Sequence, residues 1–151
     1  RPEDDSVAAL PPVPVIPAND TEWRHRLAAI PGLNAEQGLA MLHGKMATYI
    51  RLLHLFEASH GEDAALIARF IAAHDLALLQ QRAHTLKGVA GNVGATHVSA
   101  AAEALQAAIR HNAGRDEIDQ LTSGLIDALT ALIDGIRKLP LDSDLSRSSE
   151  Q

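Results

Sequence analysis

The stretch Asp75-Leu76-Ala77-Leu78-Leu79-Gln80-Gln81-Arg82-Ala83-His84-Thr85-Leu86-Lys87-Gly88-Val89-Ala90-Gly91-Asn92-Val93 decides how this chain folds. Leu76, Leu79, Ala83, Leu86, Ala90 and Val93 recur at alternating steps of three and four. That is the apolar seam of a helix facing a bundle core, and it predicts a helix over about 75–92. A helix turns about 100° per residue, so the remaining positions can be placed around the seam. With Leu79 and Ala83 at its centre, His84 points away from the core toward solvent. Ala77, Gln80, Gln81, Gly88 and Gly91 share its face, and Lys87 stands at the edge.

Helical patterns continue on both sides. Asp20 or Thr21 is suited to cap a first helix running to about Ile30, where Pro31-Gly32 stops it. Asn34 is suited to cap a short helix over about 35–42, ending at Gly44. Further helices are expected over about 45–59, 62–73, 96–111 and 116–139, with breaks at Gly61, His74-Asp75, Gly94 and Asn112 to Gly114, and Pro140 ends the last. The expected fold is all-α: an antiparallel, up-down four-helix bundle with one or two short accessory N-terminal helices. Pro2, Pro11, Pro12, Pro14 and Pro17 mark residues 1–20 as a Pro-rich interdomain linker. Residues 21–140 form the expected domain, and the Ser- and Asp-rich residues 141–151 a disordered tail. The chain does not open with Met, which suggests a piece of a longer protein.

Composition removes several function classes. Of the 151 residues, 46% are hydrophobic and only 3% aromatic, so the core must be built from Leu, Ile, Val and Ala. The net charge of −6 argues against non-specific nucleic-acid binding, which needs a basic face. Without cysteine there is neither a disulfide nor a thiolate metal site. No two of the eight histidines stand three or four residues apart, so no helix offers a paired metal ligand, and no metal is expected. Gly88, Gly91 and Gly94 are regularly spaced, but they fall inside or at the end of a helix. A phosphate-binding loop would place them between a strand and a helix. No apolar run reaches the length of a membrane span, and the polar, acidic start is no signal peptide. No direct membrane contact is expected. The location expected is cytoplasmic, compatible with an inner-membrane anchor elsewhere in the parent protein.

The face around His84 is unusual for an exposed helix surface. It carries small or neutral residues where Glu, Lys or Arg are the rule, and each glycine inside a helix costs about 1 kcal/mol relative to alanine. Close helix packing explains one of the two glycines; access for another protein's backbone explains both. An unprotonated imidazole is a competent nucleophile near neutral pH. Lys87, one turn on, is placed to neutralise phosphoryl oxygens, although a lone lysine is by default a solvated one. Gln80 or Gln81 is placed to hydrogen-bond the imidazole or a phosphoryl group, and equally to face water.

The run from His84 to Ala95 resembles the signature of histidine-phosphotransfer (HPt) domains of multistep phosphorelays. That pattern is roughly His-x-Leu-Lys-Gly-x-small-x-x-x-Gly-Ala, and His84, Leu86, Lys87, Gly88, Ala90, Gly94 and Ala95 fall on it. The resemblance extends over residues ~30–138. Ile30 to Asn34 and Gln37-Gly38-Leu39 look like the lead-in of HPt domains at the C-terminal end of hybrid sensor kinases. The resemblance implies that His84 receives a phosphoryl group from an aspartyl phosphate on a receiver domain and passes it to the aspartate of a second receiver. It also implies that the receiver supplies Mg²⁺, that this domain binds no cofactor and has no ATP site, and that it is a monomeric carrier. Its partners would be receiver domains of a parent hybrid sensor histidine kinase, of a separate response regulator, or of both. Three rival readings stand beside it. A structural helical bundle for docking or dimerisation would have no use for the stripped face. A docking-only relative would have lost the histidine. The phosphoacceptor domain of a dimeric kinase would carry an acidic residue where Thr85 stands.

Overall fold

A computed structural model describes residues 19–140. The linker reading of residues 1–18 and the tail reading of residues 141–151 lie outside the described residues. The chain forms α1 (Asp20–Ala28), α2 (Ala35–Ala40), α3 (Met46–His60), α4 (Asp63–Ala72), α5 (Leu76–Asn92), α6 (Thr96–Arg110) and α7 (Arg115–Arg137). Among the described residues the only β-type pairing is an isolated bridge between Leu33 and Ala95.

The helix boundaries follow local chemistry. Asn19, rather than Asp20 or Thr21, caps α1: its side-chain oxygen accepts from the Glu22 N–H at 2.9 Å, which makes Asp20 the first helical residue. Residues 19 and 20 therefore belong to the helical unit, outside which the sequence reading places them. The same device opens α2, where Asn34 accepts from Gln37 N–H at 3.1 Å, and α5, where Asp75 accepts from Leu78 N–H at 3.2 Å. Helix ends rely on left-handed residues. His43 and Gly44 follow α2, His74 follows α4, Gly94 follows α5, and Asn112 follows α6, all with φ between 54° and 79°.

Helices α4, α5, α6 and α7 form a ring in which each packs on the next and α7 closes on α4, so α5 and α7 lie across the bundle from one another. The sequence seam is the core face of α5, with Leu79, Ala83, Leu86 and Ala90 fully buried. Ala102 and Leu105 of α6, Leu125, Leu129 and Ile136 of α7, and Ile67 of α4 meet it in one continuous core. Helix α3 is no short accessory. It runs for 15 residues, packs on α7 and contributes Met46, Tyr49, Ile50, Leu53 and Phe56 to the core. The short accessory helices are α1 and α2.

A clasp fastens the lead-in to the turn that follows α5. Asn34 N–H donates to Gly94 O at 2.7 Å, and the Thr96 hydroxyl and the His97 N–H both donate to Gly32 O at 3.3 Å. Gly94 sits at φ +79°, and a Cβ there would overlap the Asn34 carbonyl, so only glycine fits. Beneath the clasp, the buried Tyr49 hydroxyl donates to Val93 O at 2.7 Å. These bonds fix the C-terminal end of the helix that bears His84.

Candidate functional site: an exposed histidine on α5

His84 is solvent-exposed between the buried Ala83 and Leu86, as the helical spacing requires. Its imidazole is held from α6: Gln106 Nε2 lies 3.1 Å from His84 Nδ1. Among the described residues Nε2 of His84 has no hydrogen-bond partner. Gln106 was not legible from α5 alone. It stands 22 residues later, on another helix, and a wheel drawn for one helix cannot register it. The signal available was a polar residue beside the core positions Ala102 and Leu105 of the neighbouring helix.

The remaining residues of the face divide. Ala77 and Gln81 are exposed, and Gln80 is half-buried. Neither glutamine bonds the imidazole; the Gln81 carbonyl accepts from the Thr85 hydroxyl at 3.2 Å. Gly88 is open, since a Cβ added there would meet nothing within 4 Å, so helix packing gives no reason for it. Gly91 is half-buried and turned toward α6, where a Cβ would lie in ordinary contact, 3.5 Å from Ser99 Oγ. The cleared surface therefore centres on Gly88 rather than on both glycines.

Charge is arranged unevenly around this face. Helix α5 carries Arg82 and Lys87 and no carboxylate. Arg82 is engaged with the buried Asp63, its Nη1 3.7 Å from the Oδ2 that His60 Nδ1 approaches at 2.8 Å. Lys87 is half-buried and forms no ion pair among the described residues. Across the bundle, α7 carries Asp116, Glu117, Asp119, Asp127 and Asp134. On the side of α5 away from Gln106 the surface is apolar. Leu78 and Leu55 are 41% and 60% exposed, and Leu52, Leu55, Phe56 and Val89 line a shallow groove between α3 and α5. Sequence periodicity missed Leu55 because it lies just off the buried stripe of α3. Among the described residues no group of three or more His, Cys, Asp or Glu is placed to hold a metal, and no helix is long and apolar enough to cross a membrane.

A closed helical bundle that displays one hydrogen-bonded, solvent-facing histidine beside an unpaired lysine defines a class of phosphoryl carriers. The model of the Hpt domain family matches residues 51–138, which take in α4 to α7 and His84, and the chain belongs to that family. Searches of curated proteins and of solved structures return no match. The domain is thus a histidine-phosphotransfer module of two-component phosphorelays, a carrier rather than an enzyme with an ATP site, and its partners are receiver domains.

Proposed function

We propose that His84 is the phosphoacceptor, and the observation that carries this is its ring geometry: an exposed residue with Nδ1 held by Gln106 and Nε2 without a hydrogen-bond partner among the described residues. The oxygen and nitrogen of an amide are interchangeable by a flip. In the productive arrangement the Gln106 oxygen accepts from Nδ1–H, which leaves the Nε2 lone pair outward. Nε2 attacks the phosphorus of a receiver's aspartyl phosphate. The N–P bond forms as the P–O bond breaks, and the carboxylate leaves as the anion. Return transfer to a second receiver reverses these steps. Lys87 neutralises phosphoryl oxygens, and Gln80 and Gln81 supply hydrogen-bond donors at the rim. Gly88 and Ala77 leave room for the receiver's backbone, with Gly91 contributing on the α6 side. Mg²⁺ held by the receiver would screen phosphoryl charge during transfer.

The apolar side chains of Leu55, Leu78 and Val89 give the receiver a surface to pack on. Receivers of a parent hybrid sensor histidine kinase, a separate regulator, or both are the expected partners. The isolated domain is proposed to be monomeric and its setting cytoplasmic. The test is transfer from a phosphorylated receiver. Wild type should acquire an acid-labile, base-stable phosphate and His84→Gln none. A label that survives in His84→Gln overturns the assignment, and a wild type that binds receivers without labelling favours a docking module.

A further inference from the structure

We infer that Ser99 is a positioning residue for phosphoryl transfer, acting through Lys87. The inference rests on the proposed roles of His84 and Lys87. A hydroxyl inside a helix ordinarily bonds the carbonyl four residues back on its own helix. Thr122 does so to Ile118 O at 2.7 Å, and Thr85 to Gln81 O at 3.2 Å. Ser99 does not. Its Oγ leaves α6 and donates to the main-chain carbonyl of Lys87 on α5 at 3.0 Å. A carbonyl has two lone pairs, so this bond adds to the helical one without replacing it.

The neighbours of Lys87 explain why such a tie is needed. Gly88 clears the docking face and Gly91 lies against α6, but glycine also loosens a helix because its backbone has more freedom to lose. The turn that carries the lysine therefore bears the helix-propensity cost of two glycines. Ser99 reaches this turn beside Gly91, whose Cα face lies against its hydroxyl: a Cβ there would stand in ordinary contact with Oγ at 3.5 Å. Ser99 and Gln106 stand seven residues apart and so on one stripe of α6. That stripe holds α5 twice, at the imidazole of His84 and at the backbone of Lys87. The two groups that must meet one phosphoryl group are thus set from the same helix.

The test is a double-mutant cycle read as maximal transfer rate and as the receiver concentration giving half that rate. Ser99→Ala should slow maximal transfer about threefold to tenfold, the scale on which one misplaced charged group acts, and leave half-saturation unchanged. In a Lys87→Ala background the same substitution should cause no further loss. Ser99→Cys, a weak donor of similar shape, should fall between serine and alanine. Undiminished transfer in Ser99→Ala, an equal loss in both backgrounds, or a change confined to half-saturation overturns the inference. Loss of the helical circular-dichroism signal in both Ser99 variants also overturns it, since the role is then structural. A wild-type domain that takes no label would sink the assignment of His84 itself. A labelled wild type with an unaffected Ser99→Ala would sink only the role of Ser99.

Discussion

At the scale of single residues, the site pairs a fixed imidazole with an emptied neighbour. In the proposed arrangement, with the Gln106 oxygen turned to Nδ1, the Nδ1–H form of His84 should dominate the neutral ring in wild type. Nitrogen-15 NMR of the imidazole should show this form, and Gln106→Leu should give a mixture of both tautomers and a transfer rate lower by about tenfold. A wild-type spectrum dominated by the Nε2–H form would contradict the role given to Gln106. Gly88 is the complementary case. Gly88→Leu fills space that nothing in the domain occupies. It should preserve the helical circular-dichroism signal, raise stability by up to about 1 kcal/mol, and slow transfer by obstructing the receiver. Transfer at the wild-type rate would remove the argument from access.

At the scale of elements, the seam of α5 was legible because buried positions repeat with the helical period, and Leu79, Ala83, Leu86 and Ala90 are buried as read. Local signals also located the cap Asn34, the break at His74-Asp75 and the stops at Gly44 and Gly94. Contacts between helices were not legible. Gln106, Ser99 and the apolar rim at Leu55 depend on how α6 and α3 lie against α5, and periodicity within one helix carries no such information. The length of α3 was close to expectation, but its status as a core helix emerges only from its packing on α7. Gly94→Ala tests the turn between α5 and α6. It places a side chain at positive φ and against the Asn34 carbonyl, and should cost about 2–4 kcal/mol in chemical denaturation. Tyr49 tests the packing beneath that turn. Burial raises its phenol above the ordinary value of about 10. The folded state holds this proton more tightly than the unfolded state does. The resulting stability is complete below pH ~10 and declines as pH rises further toward the folded value. Tyr49→Phe should lower stability by about 1–2 kcal/mol at neutral pH through the lost bond to Val93. It should also flatten the decline seen in wild type on the alkaline side. An unchanged alkaline slope would show that another group governs it.

At the scale of the whole molecule, the bundle has two unlike sides. Helix α5 itself carries no carboxylate and is apolar at its rim, while the diagonally opposite α7 concentrates acidic residues. One face is thereby suited to approach by an anionic phosphoryl group, and the other would repel it. A domain built this way has to keep α5 still, and it is tied both along its length and at its C-terminal end. Asp63 serves the α3–α4 side through His60 and Arg82, and the bonds of Asn34, Thr96 and His97 serve the other. The second of these has a consequence for where the folding unit starts. The family match begins at residue 51, inside α3, whereas Gly32 and Asn34 lie well upstream of it. A fragment trimmed to the matched region would therefore keep the phosphoacceptor and lose the brace on its helix. In hydrogen exchange the amides around Val93 to His97 should open faster in that fragment than in one starting at Asn19, while those near Leu79 change least. Equal protection would mean that the minimal heritable unit of this module and its minimal cooperative unit coincide; unequal protection would separate the two.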